Sequence, residues 1–250
     1  MLGYGTNGCR ESELTDSIQE MHNQRGQLRD FFKQWPAFYY FVALVFGPLF
    51  FCGLSGKNFL KKYPKEGNSL NLGSGPQQLG AGVKSVDIQA FPGVDVVASL
   101  ESLPFEHGSI ARIVCDNVLE HIRVPTMAVK EIHRILENGG VAYISTPFLY
   151  PFHDSPGDFT RWTEQGLRGL LEEFEFIELG MRAGPFSALT VYMCYLFATI
   201  FSFGSSRLYE LLVNLSMFLF VPIKLLDIVF NYWPQSIRMA AALYCVVRKR

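Results

Sequence analysis

An α/β fold with a mainly parallel sheet follows from three observations. Between residues 65 and 180, short apolar runs of strand length alternate with stretches of helical period. The first run, Ser69–Leu72, leads into the tight turn Gly73-Ser74-Gly75-Pro76, and the second, Val83–Asp87, closes on an acid. Bare backbone at one strand end and a carboxylate at the next is how open α/β sheets grip a nucleoside.

The other elements follow in order. Val94–Ala98 and Ile110–Cys115 are the third and fourth predicted strands. In Ile122–Leu136 the apolar residues Ile122, Met127, Val129, Ile132, Ile135 and Leu136 keep a helical period, which Asn138-Gly139-Gly140 stops. Val141–Ser145 is a fifth strand, Thr163–Glu172 a helix capped by Thr163, and Phe174–Leu179 a sixth strand. Met239–Val247 is the last strand-like run, ahead of Arg248-Lys249-Arg250.

Composition narrows the class. The 250 residues are 49% hydrophobic and 14% aromatic, with a net charge of −1. Near-neutral charge provides no whole-chain field to recruit nucleic acid. The cysteines (Cys9, Cys52, Cys115, Cys194, Cys245) are scattered and form no C-x-x-C pair. That pattern argues against a disulfide framework and a zinc site, and no metal ligands are assigned from it. A reducing compartment is expected. The first twenty residues are polar, so no cleavable signal peptide is expected.

The order of motifs resembles the class I S-adenosylmethionine-dependent methyltransferases, specifically the type 11 methyltransferase domain. The matching residues are Asn71-Leu72-Gly73-Ser74-Gly75, Val86-Asp87-Ile88, Asp95-Val96-Val97 with Leu103-Pro104-Phe105, Asn117-Val118-Leu119-Glu120-His121, and Glu131-Ile132-His133-Arg134-Ile135-Leu136 before Gly139-Gly140. The resemblance implies a Rossmann-like mixed seven-stranded sheet, helices on both faces, and an antiparallel seventh strand beside the sixth. It also implies S-adenosyl-L-methionine as the methyl donor. A dinucleotide enzyme fits less well, because Gln78 stands where G-x-G-x-x-G needs its last glycine. The connection between the first two predicted strands is also too short for the usual crossover helix.

Candidate site residues divide into two sets. Leu72, Gly73, Ser74 and Gly75 bring main chain to the donor, Asp87 accepts from the ribose hydroxyls, and Ile88 follows it. Ser99-Leu100 occupies the adenine position, where many relatives carry Asp-Leu. Cys115, Asp116 and Asn117 end the fourth strand facing the methionine half, with a helix N-cap as the alternative role for Asp116. His121 closes the Leu-Glu-His triplet near the sulfonium and is either structural or an orienting or deprotonating group for an acceptor hydroxyl. The loop 146–163 adds His153 and Asp158 as catalytic candidates, with Asp154 and Arg161; its alternative reading is a rigid loop pinned by an Asp158–Arg161 ion pair.

The apolar surplus lies outside the α/β unit. The expected organisation is a polar tail (1–34), an apolar segment (35–56), the methyltransferase domain (65–180 and 239–250) and an apolar helical insertion (181–238). Segment 35–56 is long enough to cross a bilayer, but Gly47-Pro48 breaks it and basic residues flank both ends. A re-entrant helix–kink–helix is therefore expected. The insertion must return to the side it left, either as a hairpin about Ser205-Ser206-Arg207 or within one leaflet, with Lys224 and Asp227 able to pair on one helix face; its alternative reading is a set of core helices in the hydrophobic lid of a soluble protein. The sequence reading is a membrane-associated methyltransferase at the cytoplasmic face, acting on oxygen of a lipophilic, lipid-linked or glycan acceptor. Its rivals are a non-catalytic scaffold of the same fold and a nucleotide-sugar or dinucleotide enzyme.

Overall fold

The computed structural model describes residues 47, 49–153 and 157–250. The tail 1–34, most of the segment 35–56, and Asp154 lie outside the described residues. Seven strands form one sheet: β1 Ser69–Leu72, β2 Val83–Asp87, β3 Val96–Val97, β4 Ile110–Asp116, β5 Leu136–Pro147, β6 Phe174–Ala183 and β7 Ala242–Lys249. Their order is β3-β2-β1-β4-β5-β7-β6. β7 runs antiparallel to both neighbours, and the pairs β1–β2, β1–β4, β2–β3 and β4–β5 are parallel. This is the Rossmann-like mixed sheet that the motif order implied.

Period-2 alternation divides the strands between two cores. Ile113, Cys115, Ala142, Ile144, Cys245 and Val247 face one side, under helices α2 (Pro125–Ile135) and α3 (Glu164–Leu170). Val114, Val141, Tyr143, Tyr244 and Val246 face the other, where Phe59 of α1 (Gly56–Lys62) packs among them. No helix links β1 to β2, so α1, which precedes β1, covers the face behind β4. Glu178 of β6 ties α1 to the sheet, accepting from Lys62, Tyr63 and Tyr244.

The last three strands run past their expected bounds, β5 from Leu136, β6 to Ala183 and β7 over Ala242–Lys249, and three further differences have local reasons. α2 begins at Pro125 rather than Ile122, because Leu119–His121 forms a separate 3-10 turn and the proline takes the first-turn position, where its missing N–H is not needed. Asn138-Gly139-Gly140 stops no helix: the register with β4 jumps from Ile110↔Leu136 to Arg112↔Val141, so the glycines sit in a β-bulge. β3 shrinks to two residues, paired only to the end of β2.

Between β6 and β7 lie α4 (Pro185–Phe201) and α5 (Ser206–Phe220), then a 3-10 run Val221–Leu226, a short α6 (Asp227–Phe230) and a 3-10 run Pro234–Met239. Lys224 and Asp227 do not pair with each other. Asp227 returns to the root of α4, accepting from the Phe186 and Ser187 amides and the Ser187 hydroxyl, while Lys224 donates to the Gly47 carbonyl. Two otherwise unsatisfied N–H groups of the first turn of α4 outbid a helical i,i+3 pair. The continuous helical run Ser206–Phe230 is long and apolar enough to cross a membrane by length and composition; α4 is shorter.

Candidate active site

The chain turns sharply at the carboxyl ends of β1, β2 and β4, and a cavity of about 330 Å³ opens there, within the size range of small-molecule sites. Gly73 and Gly75 sit at φ +63° and +52°, left-handed conformations that favour glycine. Their environments differ. A Cβ on Gly73 would fall 2.5 Å from the Val118 methyls, whereas a Cβ on Gly75 would enter open space. Gly73 therefore permits packing, and Gly75 leaves main chain bare on the cavity wall.

Asp87 is 8% exposed and holds the turn to β2. Its two oxygens accept from the Gly75 and Gln89 amides at 2.8 and 2.9 Å. Each oxygen keeps a further lone pair for a hydroxyl donor. Ile88, 60% exposed, gives the cavity an apolar rim, and Ser99, whose hydroxyl accepts from the Glu101 amide, lies nearby with Leu100 on the wall. At the end of β4, Asn117 takes φ +56° and donates its amide to the Ser145 carbonyl and hydroxyl oxygens. Asparagine tolerates this left-handed bend better than most residues, and the bend carries Val118 over Gly73 and turns Asn117 into the cavity.

The structure brings together most of the predicted donor-binding residues. Gly73, Gly75, Asp87, Ile88, Ser99, Leu100, Asn117 and His121 line the cavity. Leu72, Ser74 and Cys115 are buried behind that wall. Asp116 neither lines it nor caps a helix: its carboxylate accepts from the Ser145 hydroxyl and the Asn117 side-chain amide, with Arg182 3.5 Å away. Gln89, Phe91, Glu101, Val118, Ile122, Arg123 and Phe159 also line the cavity. None was singled out from sequence, although Gln89 and Phe91 follow Asp87 closely enough to have been suspected.

Beside this cavity lies a second group of titratable side chains. Glu120, on the 3-10 turn after β4, is 0% exposed, and among the described residues neither carboxyl oxygen has a hydrogen-bond partner. Burial raises its pKa to about 8. His121 Nδ1 donates to the Gly157 carbonyl, and its Nε2 lies 3.7 Å from Glu120 Oε1. His153 Nε2 is 3.9 Å from the same oxygen. Burial, together with His121 and Arg161, lowers the His153 pKa to about 4, against the pull of Asp158.

The expected Asp158–Arg161 pair is present and bidentate. Burial works to raise the Asp158 pKa, but hydrogen bonds from Arg161 and the His153 amide outweigh it and hold the carboxyl below its ordinary value. Arg161 also donates to the carbonyls of Tyr150, Pro151 and Thr160. It is the buckle of the loop after β5, and it sets His153 beside His121 with ring centres 5.1 Å apart. His121 and His153 thus lie side by side, while Asp158 faces Arg161 and His153; of the three catalytic candidates only His121 lines the cavity.

The residues present fit S-adenosyl-L-methionine: bare main chain at Gly75, a carboxylate with spare lone pairs at Asp87 and an apolar rim at Ile88. A methyltransferase-domain family model matches residues 78–144, from just after the glycine turn to β5. Among solved structures, the [4+2]-cyclase SpnF matches with a TM-score of 0.52 at 13% identity, over 90% of this chain and 95% of its own. A possible histamine N-methyltransferase from Thermotoga maritima matches with a TM-score of 0.50 at 16% identity, over 88% and 98%. At those identities the two likenesses speak to the fold. No curated protein matches the chain. Residues 78–144 match the methyltransferase-domain family, and the sheet order, glycine turn and acid agree with the class I, S-adenosylmethionine-dependent methyltransferase fold.

Proposed function

We propose that the protein transfers a methyl group to an oxygen of a lipophilic, lipid-linked or glycan acceptor while seated on a membrane. The observation that carries the oxygen reading is that His121 belongs both to the donor cavity and to the cluster with Glu120 and His153. An imidazole lone pair and a carboxylate are acceptors, so they suit a hydroxyl, which brings a proton with its oxygen.

S-adenosylmethionine supplies an activated methyl on a sulfonium that leaves readily. The chain's own residues then have mostly positioning to do, and positioning alone can supply much of the rate. Asp87 and the Gly75 main chain hold the nucleoside end. Asn117 and the 3-10 turn set His121 at the opposite wall, where it orients the acceptor oxygen. Phe159 and Ile122 narrow the mouth and exclude water.

The membrane reading rests on the hairpin. Leu196, Ile200, Phe218 and Leu219 are exposed large apolar side chains on α4 and α5, and Phe203 at the tip is 87% exposed. Contiguous apolar surface of that kind marks a membrane or protein contact. Tyr232 and Trp233, also exposed, follow the second arm as an interfacial pair would. Arg182, at the hairpin's root, stacks over Phe51 and reaches Asp116 at the end of β4. The hairpin therefore brings a bilayer close to the site. The basic side chains Lys57, Lys61 and Lys62 on α1 favour the cytoplasmic face.

Two experiments test this. Mass spectrometry of membrane lipids and glycans from cells with and without the protein is expected to find a species heavier by one methyl; identical profiles oppose the acceptor class. Flotation of the purified chain with phospholipid vesicles is expected to carry it upward, and Phe203→Asp with Phe218→Asp to leave it behind. A wild-type chain that stays at the bottom refutes the membrane reading.

A further inference from the structure

We infer that Glu120, His121 and His153 bind a divalent transition-metal ion through one carboxylate oxygen and two imidazole Nε2 atoms, beside the donor cavity. The inference rests on the oxygen-acceptor reading and deepens it, since such an ion would anchor the acceptor oxygen.

The geometry is close to that of a ligand set. The three ligand atoms lie within 4.8 Å of one another, with Glu120 Oε1 3.7 Å from His121 Nε2 and 3.9 Å from His153 Nε2. Ligands at bond lengths of about 2.1 Å around a tetrahedral ion sit about 3.4 Å apart, so modest side-chain movement closes the site.

Glu120 supplies the independent observation. Among the described residues neither oxygen of this fully buried carboxyl group has a hydrogen-bond partner, an arrangement that is costly whether or not the group is charged, and both nearby imidazoles aim at it. Second-shell contacts match what metal-bound histidines use. His121 Nδ1–H is held by the Gly157 carbonyl. His153 Nδ1 lies 3.4 Å from Asp158 Oδ2 and 3.3 Å from Arg161 Nη2. In the metal-free protein Arg161 donates to that nitrogen; metal uptake moves the His153 proton from Nε2 to Nδ1, where Asp158 accepts it. The Arg161 charge, which would oppose a cation, is neutralised by its bidentate bond to Asp158. Two imidazoles and a carboxylate suit zinc or iron(II) better than magnesium, and His121, which lines the donor cavity, joins the group to it.

Calorimetric titration of Zn²⁺ into the chelator-stripped full-length chain tests this, with S-adenosylhomocysteine titrated in parallel. One tight equivalent of Zn²⁺ is expected, weakened at least tenfold by Glu120→Gln and by His153→Ala, with S-adenosylhomocysteine affinity kept in both variants as the measure of folding. A Co²⁺-loaded wild-type chain is expected to show visible d–d absorption that His153→Ala loses. A chain that binds S-adenosylhomocysteine but takes up no Zn²⁺, or whose Zn²⁺ binding survives both substitutions, overturns the metal site and leaves the donor pocket standing. Uptake of one Zn²⁺ without S-adenosylhomocysteine binding would fail the donor reading instead.

Discussion

The donor wall of this cavity and the ionisable wall beside it are built by different means. The donor wall is nearly all main chain and local contact: Gly75 and Gln89 amides on Asp87, within two turns that follow consecutive strands. The ionisable wall is assembled from side chains brought together over distance, with Glu120 and His121 after β4 meeting His153 and Asp158 after β5, and only His121 reaches the cavity. A wall made of backbone tolerates sequence change everywhere except at its glycines and its acid. A wall made of buried ionisable side chains has no such tolerance, and under the proposed function it is where acceptor chemistry is decided.

Substitutions at the two walls are expected to separate donor binding from turnover. The largest effect falls on Asp87→Ala, which removes the ribose acceptor and unties the turn. S-adenosylhomocysteine affinity is expected to fall on the order of 100-fold, about 2.7 kcal/mol, as for a lost charge-assisted hydrogen-bond pair; calorimetry reads it. On the other wall, His153→Ala is expected to lower kcat by at least about tenfold, within the range for a positioned polar group, while S-adenosylhomocysteine affinity stays within about twofold. Equal loss of both in one variant would merge the two walls into one.

Smaller effects test the frame. Gly73→Ala forces a Cβ against Val118 at a left-handed φ, and is expected to cost on the order of 1–3 kcal/mol, about 2–10 °C in Tm, read by thermal unfolding. The smallest is a pH effect away from the site. Glu131 binds Arg134 and the Leu103 amide; the Arg134 bonds foremost hold its carboxyl at about 2, against burial, from an ordinary 4.5. A depressed acid stabilises fully above 4.5 and loses that contribution as pH falls toward 2. Glu131→Gln is therefore expected to lower Tm at pH 7 by a few degrees, solvent screening keeping the cost to on the order of 1 kcal/mol. The gap to wild type should narrow as pH falls below 4.5.

Legibility in the sequence follows the same division. β1 and β2 match their predicted bounds because four or five apolar-rich residues between turn residues have few other options. Thr163 caps α3 as expected, its hydroxyl accepting from the Gly166 amide, since capping is a contact over three residues. What was not legible depends on distance. Asp227 reads as the partner of a neighbouring lysine, yet it caps α4 some forty residues earlier. Asp116 reads as a site or cap residue, yet Ser145 and Arg182, on other strands, claim it. Glu120 drew no notice inside its own motif, because a glutamate's burial is set by the loop that closes over it, here through the Phe159 amide on the Glu120 carbonyl.

The most direct measurement is S-adenosylhomocysteine titrated calorimetrically into the full-length wild-type chain, Asp87→Ala and His153→Ala. One equivalent bound by the wild type and by His153→Ala, and lost from Asp87→Ala, is the predicted result. A folded wild-type chain that gives no binding heat and no protection against thermal unfolding contradicts it.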